Sequence, residues 1–166
     1  MAGQYASGTS VSPEKSRNEI ERMLERYGAT GFLYGRDDER GMALIMFKAH
    51  DRQIRFVLPL PDPTDRKFTR TPTGLARSTA GANTAYQQEV RRRWRALLLC
   101  IKAKLEIVES GILSFEQEFG VHVVLPNGST VGEWIEPQIA EAYATGRMPE
   151  MLPGAERLAI TQNPDQ

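Results

Sequence analysis

Between residues 84 and 110, apolar side chains return at the spacing of one helical face while basic side chains crowd the same stretch. Turned by about 100° per residue, Val90, Trp94, Leu97, Leu98, Ile101, Leu105 and Val108 form a single stripe. A helix of that length runs about 40 Å, so the rest of the chain has to be built against it. Arg91, Arg95 and Lys102 border the stripe on one side, Arg93 and Lys104 on the other. Ala96, Cys100, Ala103 and Ile107 make a second, smaller apolar patch. A helix with two apolar faces lies deep in a fold or is shared with another subunit.

Upstream, Ser12, Pro13 and Glu14 punctuate the start of a first helix as cap, first helical residue and first-turn acid. Ile20, Met23, Leu24 and Tyr27 follow at helical spacing, and Gly28 supplies the stop. Three strand signals come next: "GFLYGRD", "MALIMFKAH" and "IRFVLPLP", separated by turns at "DERG" and "DRQ". The third alternates Ile54, Phe56, Leu58 and Leu60 with Arg55, Val57 and Pro59, so one face is buried, and its prolines place the tail at an edge. The second is apolar on both faces, which predicts a central strand covered from both sides.

Residues 62–83 read as a long polar loop with four cations, Arg66, Lys67, Arg70 and Arg77. Structureless connections of that length are uncommon in a compact domain and usually carry function. Beyond the long helix, a strand is expected over Val121–Leu125 and a turn at Asn127–Gly128. Thr130 and Glu133 match a capping box opening a terminal helix that Pro137 kinks or restarts and Gly146 closes. The expected fold is α+β: an N-terminal helix, a three-stranded antiparallel meander, a long amphipathic helix, and a small C-terminal strand and helix. Residues 1–11 read as a polar arm, 12–150 as a single domain and 151–166 as an irregular tail.

With 166 residues, 40% hydrophobic and 25% charged, the chain has the profile of one soluble globular domain. Its one cysteine excludes an intrachain disulfide, and neither a signal peptide nor an apolar run of membrane-spanning length is visible, so a cytoplasmic protein without membrane contact is expected. Twenty-one Lys/Arg against 21 Asp/Glu give zero net charge, but the balance is local nowhere after residue 65. Arg66–Lys104 carries ten cations and one acid, Glu89, whereas residues 105–166 carry ten acids and two arginines. Such segregation points to a polyanion-binding surface, or to an acidic half that neutralises the basic one within the fold or between subunits. With the two-faced helix and the proline-bearing edge, it predicts a homo-oligomer.

Signals of catalysis are weak. His50 and His122 have no metal-ligand spacing to each other or to Cys100, which sits in an apolar patch and reads as packing. "PDPTDRK" echoes metal-dependent nucleases, but its acids share one loop instead of converging from separate strands. Glu116 and Glu118 alternate beside Phe115 and Phe119, and would be the acids to test in a metal-dependent nuclease, the remotest alternative. No phosphate loop or nucleophile elbow is present. The expectation is a protein without enzymatic activity, cofactor or metal.

"EVRRRWRALLLCIKAKLEIVESGILSFEQEF" and "HVVLPNGSTVGEWIEPQIAEAYATGRMPEMLP", with "GTSVSPEKSRNEIERMLERYGA", resemble a family of small proteins of unassigned activity encoded by bacteriophages, prophages and bacteria. That resemblance implies a phage or mobile-element setting and contributes no catalytic residue. In element order, a meander followed by a basic long helix, the chain is also similar to single-strand annealing proteins of the phage Redβ type. In those proteins nucleic acid lies in a basic groove between the two; likeness at that level bears on fold and not on function. The expected function is nucleic-acid binding, as a single-stranded DNA binding or annealing protein. The expected phosphate surface comprises Arg66, Lys67, Arg70 and Arg77 on the loop and Arg91, Arg92 and Arg95 on the helix, with Phe68, Tyr86 and Trp94 available to stack on bases. The alternative of another class is an interaction module that inhibits a host factor through the acidic half.

Overall fold

The structure, a computed structural model, describes residues 9–147. Most of the arm (residues 1–8), the last residues assigned to the domain (148–150) and the tail (151–166) lie outside the described residues. Helix α1 (Pro13–Arg26) starts as its punctuation requires: the Ser12 hydroxyl accepts the Lys15 N–H, and Pro13 opens the helix. Ile20, Met23 and Leu24 are its buried side. Strands β1 (Thr30–Asp37), β2 (Met42–Ala49) and β3 (Arg52–Pro59) form an antiparallel meander with β2 central. Register puts Tyr34 opposite Ile45 and Ile45 opposite Phe56. One face therefore collects Ala43, Ile45, Phe47, Ile54, Phe56 and Leu58 into the core with α1 and the long helix.

The opposite sheet face differs from expectation. Leu33 and Val57 remain 54% and 41% exposed, so among the described residues the sheet is covered from one side. The second turn also moves. It lies at His50–Asp51, with φ of 50° and 56°, and not at "DRQ", because Ala49 pairs with Arg52 and leaves a two-residue connection. Two consecutive left-handed residues match the right-handed twist of a hairpin.

The 62–83 segment is folded. Helix α2 (Arg66–Thr69) buries Phe68, and a bridge joins Arg70 to Ala76. The long helix, α3, then spans Thr79–Glu109, five residues earlier than the apolar pattern implies. Gly81 and Asn83 are poor helix formers, but the Ser78 hydroxyl caps the Gly81 N–H at 3.1 Å, and Phe68 sits edge-on to Tyr86, 5.7 Å between centroids. The stripe is as expected: Val90, Trp94, Leu97, Leu98, Ile101 and Leu105 are buried. At the far end the Tyr27 hydroxyl donates to the Glu109 carboxylate at 2.6 Å, which pushes the phenol pKa up to about 12 and ties the ends of α1 and α3 together.

After α3, Ser114 and Gln117 form a capping box that starts helix α4 (Phe115–Phe119), and a 3-10 turn occupies Gly120–His122. The strand expected over Val121–Leu125 is reduced to the bridges Ile54–Val123 and Val124–Thr130, since the helical turn still holds Val121 when the chain reaches the β3 edge. The predicted capping box opens α5 (Val131–Thr145): Thr130 Oγ1 accepts the Glu133 N–H, and the Glu133 carboxylate accepts the Thr130 N–H. Pro137 stands inside a continuous helix and does not restart it, and Gly146 closes it at φ 66°. Phe119, fully buried, meets Phe47 and Phe56 edge-on at 6.3 and 6.2 Å, so the C-terminal segment shares the central core. No helix among the described residues is long and apolar enough to cross a membrane.

Candidate nucleic-acid interface

Two of the four loop cations, Arg70 and Arg77, are held by the loop's own fold. Arg70 Nη1 donates to the Gly74 carbonyl at 3.0 Å, and Arg77 Nε to the Arg70 carbonyl at 3.1 Å. Lys67 lies 3.6 Å from the Asp65 carboxylate. Arg66 is exposed on the first turn of α2. Arg70 and Arg77 thus shape the excursion, while Arg66 and Lys67 display charge.

The helix arginines are divided by the helix itself. At about 100° per residue, Arg91 and Arg95 fall within about 40° of each other, whereas Tyr86, where α2 docks, lies about 140° from Arg91. Arg95 pairs with Glu19 of α1 at 3.0 Å. Arg92 makes a bidentate contact to Glu89 at 2.6 and 2.7 Å, and Arg93 reaches the same carboxylate at 3.2 Å and also the Pro59 carbonyl. The Arg92 hydrogen bonds, then Arg93, hold Glu89 below its ordinary pKa, so it remains a carboxylate and offsets part of their charge. The seven residues therefore do not form one uninterrupted patch. Arg92 and Arg95 carry charge already countered by Glu89 and Glu19, and Arg91 stands apart from the loop.

A groove connects them. Tyr34, Arg36, Tyr86, Val90, Arg91 and Trp94 line a cavity of about 330 Å³ between β1 and the N-terminal half of α3. It shares Arg36 and Tyr86 with a second hollow that reaches Asp62 and Pro63 at the root of the loop. Arg91 donates to Gln88 Oε1 at 2.6 Å, which fixes its guanidinium at one end, while its Nε is buried without a hydrogen-bond partner. Arg36 is steered by Asp38 at 2.6 Å. The Arg17 guanidinium covers the Tyr34 ring at 4.0 Å, and Tyr34 lies 5.7 Å from the Trp94 ring. Trp94, only 2% exposed, is a core side chain and not a stacking platform. Tyr34 and Tyr86 carry the accessible aromatic surface, half-buried to exposed.

Arg17, Tyr34 and Arg36 are absent from the surface expected from the sequence. A period-two reading of "GFLYGRD" sets Phe32, Tyr34 and Arg36 on one strand face, which is the signal that could have found two of them. The described part of the acidic half does little to neutralise the basic segment. Among the described residues the ion pair joining them is Lys104 to Glu118, at 3.1 Å, while Glu133 pairs with Arg55 of β3.

The remaining chemistry-bearing residues are placed singly. His50 stacks on Phe115 at 4.2 Å and His122 lies over Phe56 at 4.0 Å. Cys100 is exposed on the outward side of α3 and is not packed, because the second apolar patch points away from the core. Among the described residues no three His, Cys, Asp or Glu side chains gather closely enough to hold a metal ion. No family of known proteins, no curated protein and no solved structure matches this chain.

Proposed function

We propose that the chain is a non-enzymatic nucleic-acid-binding protein that holds single strands in the groove between β1 and α3, with the basic loop beside it. The observation that carries this reading is the joining of Tyr34 and Tyr86 with Arg36 and Arg91 around one cavity that runs toward the loop carrying Arg66 and Lys67. A hollow of about 330 Å³ suits an unstacked base and its phosphate better than a duplex. Aromatic surfaces accept any base by stacking, and arginines at the rim meet the backbone charge. Among the described residues the acidic half meets the basic segment only at Lys104, which supports leaving loop and groove charge for an external polyanion.

The roles divide. Arg91 and Arg36 bind phosphate at the groove, Arg66 and Lys67 extend the positive field, and Arg70 and Arg77 keep the loop in shape. Arg92 and Arg95 contribute less, since Glu89 and Glu19 compete for them. Fluorescence anisotropy of a labelled single-stranded oligonucleotide should show affinity falling steeply with salt. Arg91→Ala or Arg66→Ala should each reduce the salt slope by about 0.7, and Tyr86→Ala should cost about 1–3 kcal/mol of binding. Absence of binding at about 50 mM salt would remove the proposal. Cleavage of the oligonucleotide with Mg²⁺, lost on Glu116→Ala or Glu118→Ala, would replace it with a nuclease.

The rival of another class, an interaction module contacting a host factor through its acidic half, draws on α5, where Glu133, Glu136 and Glu141 are exposed. Pull-down from a host lysate before and after nuclease treatment separates the two. Nuclease-sensitive capture favours the groove, and nuclease-resistant capture favours the module.

A further inference from the structure

Among the described residues two apolar surfaces besides the outward patch of α3 stay open, and they match one another. The first is the outer face of the sheet, where Leu33 stands opposite Met46 and Leu44 opposite Val57. Leu33 is 54% and Val57 41% exposed. Gly35 contributes to its flatness, since a Cβ there would come within 3.0 Å of the Leu44 side chain. The second is α5, a 15-residue helix with no buried residue. Its Val131, Trp134, Ile135, Ile139 and Ala142 recur at the spacing of one face, yet Trp134 and Ile139 are 41% and 48% exposed.

An isolated helix of about 12–15 residues is marginal in water, and most helical stability comes from packing an amphipathic face. In α5 the capping box supports only the first turn, and Pro137 withholds one hydrogen-bond donor. The start of the helix is pinned by the Val131 N–H to the Val123 carbonyl, and by Arg55, which reaches the Gly128 carbonyl and Glu133. Its direction is therefore set, and within one copy the described residues leave both apolar faces uncovered.

We propose that two copies of this chain pair about a two-fold axis by exchanging α5, each helix lying on the outer sheet face of the other copy. Dimensions agree: 15 residues of helix span about 22 Å and eight residues of strand about 26 Å. Charge agrees as well. The charged side chains on α5 are Glu133, Glu136 and Glu141; Glu133 is taken up by Arg55 of its own copy, which leaves Glu136 and Glu141 to face Lys48 on the outer face of β2. The acid on that face, Asp37, is engaged by the Arg40 N–H at 2.9 Å. Exchange is isologous, so each copy gives one helix and one sheet face, and every apolar contact is made twice. The pairing is independent of the polyanion reading, because the groove lies on the other side of the sheet.

The test uses the full chain at tens of micromolar in sedimentation velocity, where a dimer is expected. Leu33→Glu with Val57→Glu on the sheet, and separately Trp134→Glu with Ile139→Glu on the helix, should each weaken the dimer by about a hundredfold. Circular dichroism should show the fold retained, since all four positions are surface-exposed. Mixing the two variants should restore dimer in part, because one intact helix then meets one intact sheet. A Cys100→Ser chain carrying Leu33→Cys and Trp134→Cys should form a disulfide between copies under mild oxidation, read as doubled mass on a non-reducing gel. A monomeric wild type, whatever else covers these faces, overturns the proposal. So does a dimer indifferent to the helix substitutions.

Discussion

Ser16 is fully buried on the inner side of α1, and its hydroxyl has no hydrogen-bond partner. A buried unpaired hydroxyl carries a desolvation cost, and replacing it by an apolar group of similar shape is neutral or stabilising. Ser16→Ala should therefore raise stability by about 1 kcal/mol, read as a higher urea midpoint with unchanged slope. A lower midpoint would mean the hydroxyl is satisfied after all. His122 gives a pH signature. Burial, and then the Lys104 charge, push its pKa below the ordinary 6.5, so the fold favours the neutral ring over Phe56. The sign follows from linkage: the unfolded chain binds the proton more readily, so this contribution is complete above pH 6.5 and lost as pH falls through the lower folded value. His122→Phe should flatten the acid limb of the stability profile in that window and leave stability near pH 8 little changed.

At the scale of elements, the His50–Asp51 turn holds two non-glycine residues at positive φ. His50 gains a stack on Phe115 in return, whereas Asp51 is exposed. Asp51→Gly should relieve about 1 kcal/mol of left-handed strain and raise Tm by about 2–4 °C, while a lowered Tm would mean the Asp51 side chain stabilises the hairpin. The α5 cap works in the opposite direction. Thr130 is 7% exposed and its hydroxyl takes the Glu133 N–H, so Thr130→Ala should cost about 1 kcal/mol. The loss should show first as reduced helical ellipticity at concentrations where the chain is monomeric, because within one copy α5 has no buried side chain to hold it. Ellipticity that stays unchanged would show that something other than the cap supports this helix.

For the whole molecule, Phe119 is the test of unity. It comes from the short α4, yet its ring packs edge-on against both Phe47 and Phe56 of the sheet, and Phe115 stacks on it at 4.7 Å. If the C-terminal segment and the meander share one core, Phe119→Ala should cost about 3–5 kcal/mol, a large part of the about 5–15 kcal/mol that holds a domain. Unfolding should stay a single cooperative transition in denaturant. Two resolved transitions, or a loss near 1 kcal/mol, would show that the segment is an appendage.

Local and periodic information determined much of this protein. The Ser12–Pro13–Glu14 start, the Thr130–Glu133 capping box, the Gly146 stop, the three strands and the buried stripe of the long helix all follow from groups within a few residues of one another, and each was legible in the sequence. Where a competing local force acted, legibility failed: Ser78 capping carried α3 through Gly81 and Asn83, and the 3-10 turn at Gly120–His122 left two bridges where a strand was expected. The candidate site was legible only in part. Tyr86, Arg91 and the loop cations were visible, but Arg17, Tyr34 and Arg36 come from α1 and β1, and only packing brings them to the same cavity. Tertiary structure also decided which charges are countered: Glu19 meets Arg95 across 76 positions of sequence, and among the described residues the acidic half meets the basic segment at Lys104. Charge counts along a chain cannot show such pairings, because Coulomb attraction between side chains depends on distance in space and on exposure to water, and both are set when the apolar faces close.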